Sequence, residues 1–236
     1  MTKDEAGELM KRGNWLATLP GNLADELVAS AMIMRAEPGQ LVYRLGDSPG
    51  GLYGVVTGSV RVEIETPRDS SKLIGILQRG AWMGHRPSFL GKTHRTATLR
   101  AVGDCVLLNV SLASVRELLS RGPDWALALA SLMDWYVRIA EVAISDLMIP
   151  ELRQRVAATL LRMANYPFGL PGDGGWLVPL TQSDLAEVAN CSRDNIRLAM
   201  ADFRARGWVE NKYRSIRVLE PKALREFAYE ESGDPA

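Results

Sequence analysis

The chain has 236 residues, 47% of them apolar, which is enough to fill ordinary cores and makes two domains the expected division. Its 28 Lys/Arg and 28 Asp/Glu cancel, so any contact with nucleic acid must come from a local patch rather than from overall charge. Cys105 and Cys191 lie far apart with no C-x-x-C spacing, and no apolar run suits a signal peptide or a membrane span. This excludes an iron–sulfur or structural zinc framework and predicts a soluble cytoplasmic protein with no membrane contact.

Residues 1 to about 31 read as helical, interrupted at Leu19-Pro20-Gly21, with Leu23, Leu27, Val28 and Ala31 along one covering face. From residue 32 to 110 the character changes. Short apolar runs at 41–43, 52–56, 60–64, 73–77 and 105–110 alternate with turns, and glycines at 39, 46, 58, 80, 84, 91 and 103 punctuate them. Regular short strands with turn signals predict a β-roll of about eight strands.

Ser111 is placed to cap a short helix ending at Ser120, and Gly122-Pro123-Asp124 starts a much longer one that runs to about Met148, before Pro150. Trp125, Leu129, Leu132, Tyr136, Ile139 and Ala143 recur at alternating steps of four and three, the spacing of a coiled-coil seam. Ala128, Trp135 and Val142 form a second stripe at steps of seven. Two stripes require two partners: the chain's own roll and a second copy. The six residues of the first stripe are the candidate dimerisation contacts. Pro150 marks a hinge. A helix from 151 to about 165 follows, with Leu152, Val156, Leu160 and Met163 inward, then a Pro/Gly-rich loop over 167–175.

The C-terminal stretch carries the sharpest pattern. Thr181 with Asp184 forms a capping box, and Leu180 with Leu185 a hydrophobic staple, at the start of one short helix. Asn190-Cys191 makes a turn, and Ser192 caps a second helix that Gly207 ends. Ile196, Ala199, Met200 and Phe203 supply its buried face, leaving Asp194, Arg197, Leu198, Ala201 and Ala205 on or near the other. Residues 208–210 and 216–218 flank a polar turn and read as a β-hairpin wing. Between 193 and 217 there are seven Lys/Arg against three acids, which is the local charge that phosphates require. The bland alternative is a helical hairpin with solvated charges. The wing and the charge favour a winged helix-turn-helix, whose second helix reads the major groove of double-stranded DNA. Candidate contacts are Thr181, Gln182, Ser192, Arg193, Asp194, Arg197, Leu198, Lys212 and Arg214. The arginines suit guanine, Asp194 can accept from cytosine N4, and Leu198 can meet a thymine methyl. Residues 221–228 read as a short helix and 229–236 as a frayed tail.

The order roll, long helix, winged helix-turn-helix resembles the Crp/Fnr family of bacterial transcription regulators over nearly the whole chain. The telling residues are Gly46-Asp47, Leu52-Tyr53, Val55, Gly58, Val60, Arg95-Thr96-Ala97 and Cys191-Ser192-Arg193-Asp194. The resemblance implies an α+β fold. Residues 1–120 would form an effector or sensor roll (jelly-roll, cyclic-nucleotide-binding-like), 121–149 a dimerisation helix, and 150–236 a winged helix-turn-helix domain. It also implies a homodimer on a roughly palindromic DNA site, with RNA polymerase as a further partner and a small molecule or redox event in the roll altering the reading helices.

In cyclic-nucleotide-binding members a Gly-Glu pair and a downstream Arg-Ser/Thr-Ala hold the ligand. Here Gly84, Arg95, Thr96 and Ala97 match, but His85 stands where the Glu belongs. Pro87 removes a backbone N–H from the phosphate-facing segment. The Thr-Ser pair of the cyclic-AMP-binding members is missing, since Ser131, Tyr136 and Ser145 are the only hydroxyls between 129 and 148. Gly84, His85, Arg95 and Thr96 are therefore candidate effector contacts, with Arg95 either a phosphate anchor or a structural arginine bonding carbonyls. No cofactor is expected, and cyclic AMP is not the expected effector. The regulator is either effector-independent or answers another ligand. The alternatives are a ligand-binding module acting on a protein partner and a true cyclic-nucleotide-dependent regulator. No catalytic or phosphate-loop motif points to an enzyme. Two histidines, His85 and His94, make no metal site, and Cys191 reads as a small filler.

Overall fold

The fold is that of a computed structural model, which describes residues 1–12, 14–67, 71–86, 94–166 and 176–230. Pro87, Gly91, the 167–175 loop and the 231–236 tail of the sequence reading lie outside these residues. The chain divides into two compact units, 1–138 and 139–236.

In the first unit, α1 (Lys3–Met10), a single 3-10 turn (Trp15–Thr18) and α2 (Gly21–Ala29) precede six strands. These are β1 (Ala31–Ala36), β2 (Leu41–Tyr43), β3 (Leu52–Glu65), β4 (Ser71–Leu77), β5 (Trp82–Met83) and β6 (Thr98–Val110), followed by α3 (Leu112–Ser120) and the start of α4 (Pro123–Met148). The long strands β3 and β6 pair antiparallel with each other and carry the rest: β1 and β2 pair with β6, while β4 and β5 pair with β3. Among the described residues there are six strands against the expected eight or so, and one part of that difference has a definite cause. The runs at 52–56 and 60–64 belong to one strand that bends at Gly58 (φ 80°), where the register to β6 shifts. A Cβ at Gly58 would lie 2.5 Å from the Asp104 carbonyl oxygen, so glycine serves close strand contact there and not a turn.

Alternate residues of these strands feed two cores. Tyr53, Val55, Leu99 and Leu107 face the inside of the roll with Val42, Val60 and Cys105. Leu52, Val56, Leu108 and Val110 face outward against α1, α2, α3 and α4, where they pack with Trp15, Leu27 and Leu118.

Trp125, Leu129 and Leu132 belong to that second core and are 1–2% exposed. This corrects their assignment to a partner-facing seam, because the chain's own helices consume that stripe. The Trp125 indole N–H donates to Glu26 (3.2 Å), and the Trp15 indole N–H donates to the Ala128 carbonyl (3.2 Å) and Ser131 Oγ (2.9 Å). Tyr136 also turns inward, its hydroxyl donating to the Trp82 carbonyl (2.6 Å). Ile139 is exposed and Ala143 half-buried.

The second unit holds the end of α4, α5 (Leu152–Met163), β7 (Trp176–Val178), α6 (Gln182–Val188), α7 (Arg193–Ala205), β8 (Val209–Lys212), β9 (Ser215–Val218) and α8 (Pro221–Ala228). Strand β7, which the sequence reading passed over, pairs with β9 and makes the wing a three-stranded sheet in the order β7-β9-β8. Asp146 is fully buried and held by Arg162 (2.8 Å) and by the Tyr229 hydroxyl (3.0 Å). The Gln154 amide donates to the Glu230 carbonyl (3.0 Å). The chain is thus anchored at 229–230, where fraying was expected. Among the described residues no helix is long and apolar enough to cross a membrane.

Candidate functional site

The reading motif is built by its caps. Thr181 Oγ1 accepts from the Asp184 N–H (3.2 Å) while the Asp184 carboxylate accepts from the Thr181 N–H (2.8 Å), closing the capping box. Asn190 makes the turn in the left-handed region (φ 50°), which Asn tolerates better than most residues. Ser192 Oγ accepts from the Asn195 N–H (3.2 Å) and starts α7. Ile196, Ala199, Met200 and Phe203 are all fully buried, and this fixes the helix rotation. Ser192, Arg193, Asp194, Arg197 and Leu198 are consequently exposed, Leu198 by 55%. Thr181 and Gln182 are half-buried; Lys212 and Arg214 are exposed on the wing. All nine candidate contacts lie in the second unit, although not all are equally free. Arg197 lies 3.6 Å from Asp194, and Lys212 is paired with Glu210.

The candidate effector residues behave differently. Arg95 is 2% exposed, and its guanidinium donates to the carbonyls of Gly84 (3.2 Å) and Gly51 (3.1 Å). It lies over the rings of Tyr43 (4.2 Å) and Tyr53 (5.5 Å), which are themselves 5.7 Å apart. The Gly46-Asp47 turn clasps its backbone: Arg95 N–H donates to the Asp47 carbonyl (2.8 Å), and Gly46 N–H donates to the Arg95 carbonyl (3.0 Å). Gly84 is required, with φ 86° and a Cβ position that would lie 2.5 Å from the Gly51 oxygen and 2.7 Å from the guanidinium.

His85 is buried and stacks on Tyr136 (4.7 Å, 16° between planes). Burial, with the nearby Arg86 charge, lowers its pKa to about 4, so the ring is neutral at ordinary pH. Burial also holds the Tyr43 and Tyr136 hydroxyls above their usual range, so both stay protonated donors. Gly84 and Arg95 are brought together by a hydrogen bond, His85 packs on Tyr136, and Thr96 is exposed. Tyr43, Tyr53 and Tyr136 were missed from sequence, where they are single aromatics in apolar runs with nothing to mark them as an arginine's surroundings. Among the described residues no group of three or more His, Cys, Asp or Glu side chains is gathered for a metal ion.

A β-roll followed by a long helix and a winged helix-turn-helix defines a DNA-binding transcription regulator. Residues 33–121 match the family model of the cyclic nucleotide-binding domain, and residues 154–227 match that of the Crp-like helix-turn-helix domain. The cAMP-activated global transcriptional regulator CRP of Salmonella typhimurium is 26% identical over 64% of this chain and 72% of its own length. The cAMP-activated global transcriptional regulator Vfr of Pseudomonas aeruginosa is 25% identical over 83% of this chain and 92% of its own. Among solved structures, the c-di-GMP responsive global regulator CLP of Xanthomonas campestris shares the fold, with a TM-score of 0.63 and 22% identity over 84% of this chain and 99% of that one. The chain belongs to the Crp/Fnr family of transcription regulators.

Proposed function

We propose that this regulator works as a homodimer that binds a roughly palindromic DNA site in the bacterial cytoplasm and needs no cyclic nucleotide to do so. The observation that carries the last part is the state of Arg95. A phosphate anchor must present unsatisfied N–H groups to an anion. Here both terminal nitrogens donate to carbonyls, two tyrosine faces lie against the guanidinium, and the Nε–H, which has no partner, is itself buried. His85, next to Gly84 in the chain, stands in place of a carboxylate, and a neutral imidazole offers a ribose hydroxyl one acceptor at most.

The dimer reading rests on the other side of α4. Ala126, Ala130, Met133, Val137, Ala140 and Ile144 recur at steps of four and three on this continuous helix. Val137 is 54% exposed and Ile144 60%. Apolar residues at that spacing, with Ala130, Val137, Ala140 and Ile144 exposed and Ala126 and Met133 half-buried, suit a helix–helix seam with a second copy. Replacing Val137 and Ile144 together with Asp puts charges at the seam and is expected to give a monomer with an intact roll. Sedimentation velocity with circular dichroism checks this. A wild type that sediments as a monomer at micromolar concentration contradicts the dimer.

On DNA, Arg193 at the start of α7 is assigned to a guanine and Leu198 to a thymine methyl. Selection of duplexes by the purified protein without nucleotide, followed by sequencing, tests the reading. A shared two-fold symmetric site is the expected result, and recovery of no enriched sequence contradicts it.

A further inference from the structure

The first apolar stripe of α4 ends on a charge. Continuing its steps of four and three past Tyr136, Ile139 and Ala143 brings the next position to Asp146. An apolar side chain is the expected occupant there, yet Asp146 is fully buried. Both of its carboxylate oxygens are held. Oδ2 accepts from Arg162 Nε of α5 (2.8 Å), and Oδ1 accepts from the hydroxyl of Tyr229, just past α8 (3.0 Å). The Arg162 side chain is itself only 10% exposed. Burial and then the Asp146 charge push the Tyr229 pKa up to about 12, so its hydroxyl stays a donor.

The same junction is stitched twice more. Arg155 of α5 donates to the Ile149 carbonyl (2.8 Å) at the end of α4, and the Gln154 amide reaches the Glu230 carbonyl (3.0 Å). Pro150, a hinge by its sequence, is thus spanned by side-chain bonds. Elsewhere on this last part of α4, Ala140, Ile144 and Leu147 are exposed and carry the proposed seam onward at steps of four and three. Helix α5 in turn packs on α6, α7 and α8. One compact unit therefore contains the end of the seam, the buried triad and the reading helix. Stability alone does not call for the triad, because apolar residues in place of a buried ion pair often cost nothing. What directional bonds add over an apolar contact is a single docking.

We propose that Asp146 is a positioning residue that sets the half-site spacing, by fixing α5, and with it α6 and α7, at one angle to the seam. The inference rests on the homodimer and DNA readings above. Two reading helices address successive major grooves about 34 Å apart, and one added base pair moves a half-site by about 3.4 Å and turns it by about 35°. A unit docked on α4 through apolar contacts alone can slide and rotate by that much at little cost. Two bonds from separate elements to the two oxygens of one carboxylate resist it, since each weakens steeply with distance and angle. Asp146 acts through Arg162 and Tyr229 and touches no base.

The test keeps the selected half-sites constant and adds or removes one base pair between them. Affinities of the full-length protein are read by fluorescence anisotropy at fixed salt. Wild type is expected to lose about a hundredfold on either altered spacing, since only one half-site is then engaged. Asp146→Leu combined with Arg162→Leu removes both buried charges together and leaves neither unpaired. That variant should bring the penalty below about tenfold, with the base preference inside each half-site unchanged in a repeated selection. A merely weakened fold lowers affinity on every duplex alike and leaves the ratio where it was. An unchanged ratio in the paired variant overturns the proposal, and so does equal wild-type binding at all three spacings. Should the paired variant not fold, Tyr229→Phe, at a side chain that is 49% exposed, carries the same test. It should lower the penalty by about threefold, and an unchanged ratio overturns the proposal. If selection recovers no two-fold symmetric site, the dimer and DNA readings fail instead, and the two failures are therefore distinct.

Discussion

Arg95 in the roll and Arg193 in the reading motif carry the same side chain in opposite circumstances. Arg95 is enclosed, bonded to two carbonyls and covered by tyrosine rings. Arg193 is exposed at a helix start with no partner among the described residues. A guanidinium spent on its own backbone stabilises a fold, and one left open at a capped helix terminus is available to a ligand. The difference separates an arginine buried within the roll from one on a surface open to a partner. Similarity to cAMP-activated relatives therefore speaks more directly for the second region than for the first.

The largest expected effect comes from removing the enclosed arginine. Arg95→Leu leaves the Gly84 and Gly51 carbonyls without donors and deletes charge-assisted bonds of about 1.5–3 kcal/mol each. The roll should lose about 3 kcal/mol or more of unfolding free energy in urea, and an unchanged midpoint would show that Arg95 is not structural. Arg193→Ala should do the reverse. Stability is expected to stay within about 0.5 kcal/mol, while affinity for the selected site falls by about 1–3 kcal/mol and one base position relaxes. Leu198→Arg sharpens the same point by shifting the preferred base from thymine toward guanine in a repeated selection.

A smaller effect concerns acid. The folded-state pKa of His85 is lowered to about 4, below the ordinary value near 6.5, by burial first and the Arg86 charge second. Between those values the unfolded chain takes up a proton that the folded chain refuses. The contribution is thus level above pH 6.5 and is lost as pH falls toward 4. The Tyr136 ring stacked on His85 stays neutral throughout this window. His85→Gln should remove on the order of 1 kcal/mol of the stability difference between pH 6.5 and 5, measured by chemical denaturation. Identical pH slopes for the two proteins would contradict the burial of a neutral ring.

The reading motif was legible in the sequence because its signals are local. Thr181, Asp184 and Ser192 announce two helix starts within a few residues, and the buried face of α7 recurs at helical period. The α4 seam was misread for a physical reason. Residues 125, 129, 132 and 136 and residues 126, 130, 133 and 137 have the same four-three-four spacing, so periodicity cannot say which set the roll consumes. Contacts about a hundred residues distant decide it: Trp15 to Ala128 and Glu26 to Trp125. Strand number failed at Gly58 because a glycine that bends a strand and one that ends it look alike in a string of letters. The tyrosines around Arg95 failed likewise, since cation–π partners from separate strands share no spacing.

The central claim is the proposal that DNA binding by this regulator is free of cyclic nucleotide. Titrating the wild-type protein onto its selected duplex, with and without saturating cyclic AMP, tests it most directly. Tight binding without nucleotide and a change of less than about twofold on adding it is the predicted result, a coupling free energy near zero. Binding that tightens about tenfold or more with cyclic AMP, a coupling of about 1.4 kcal/mol, would contradict the account.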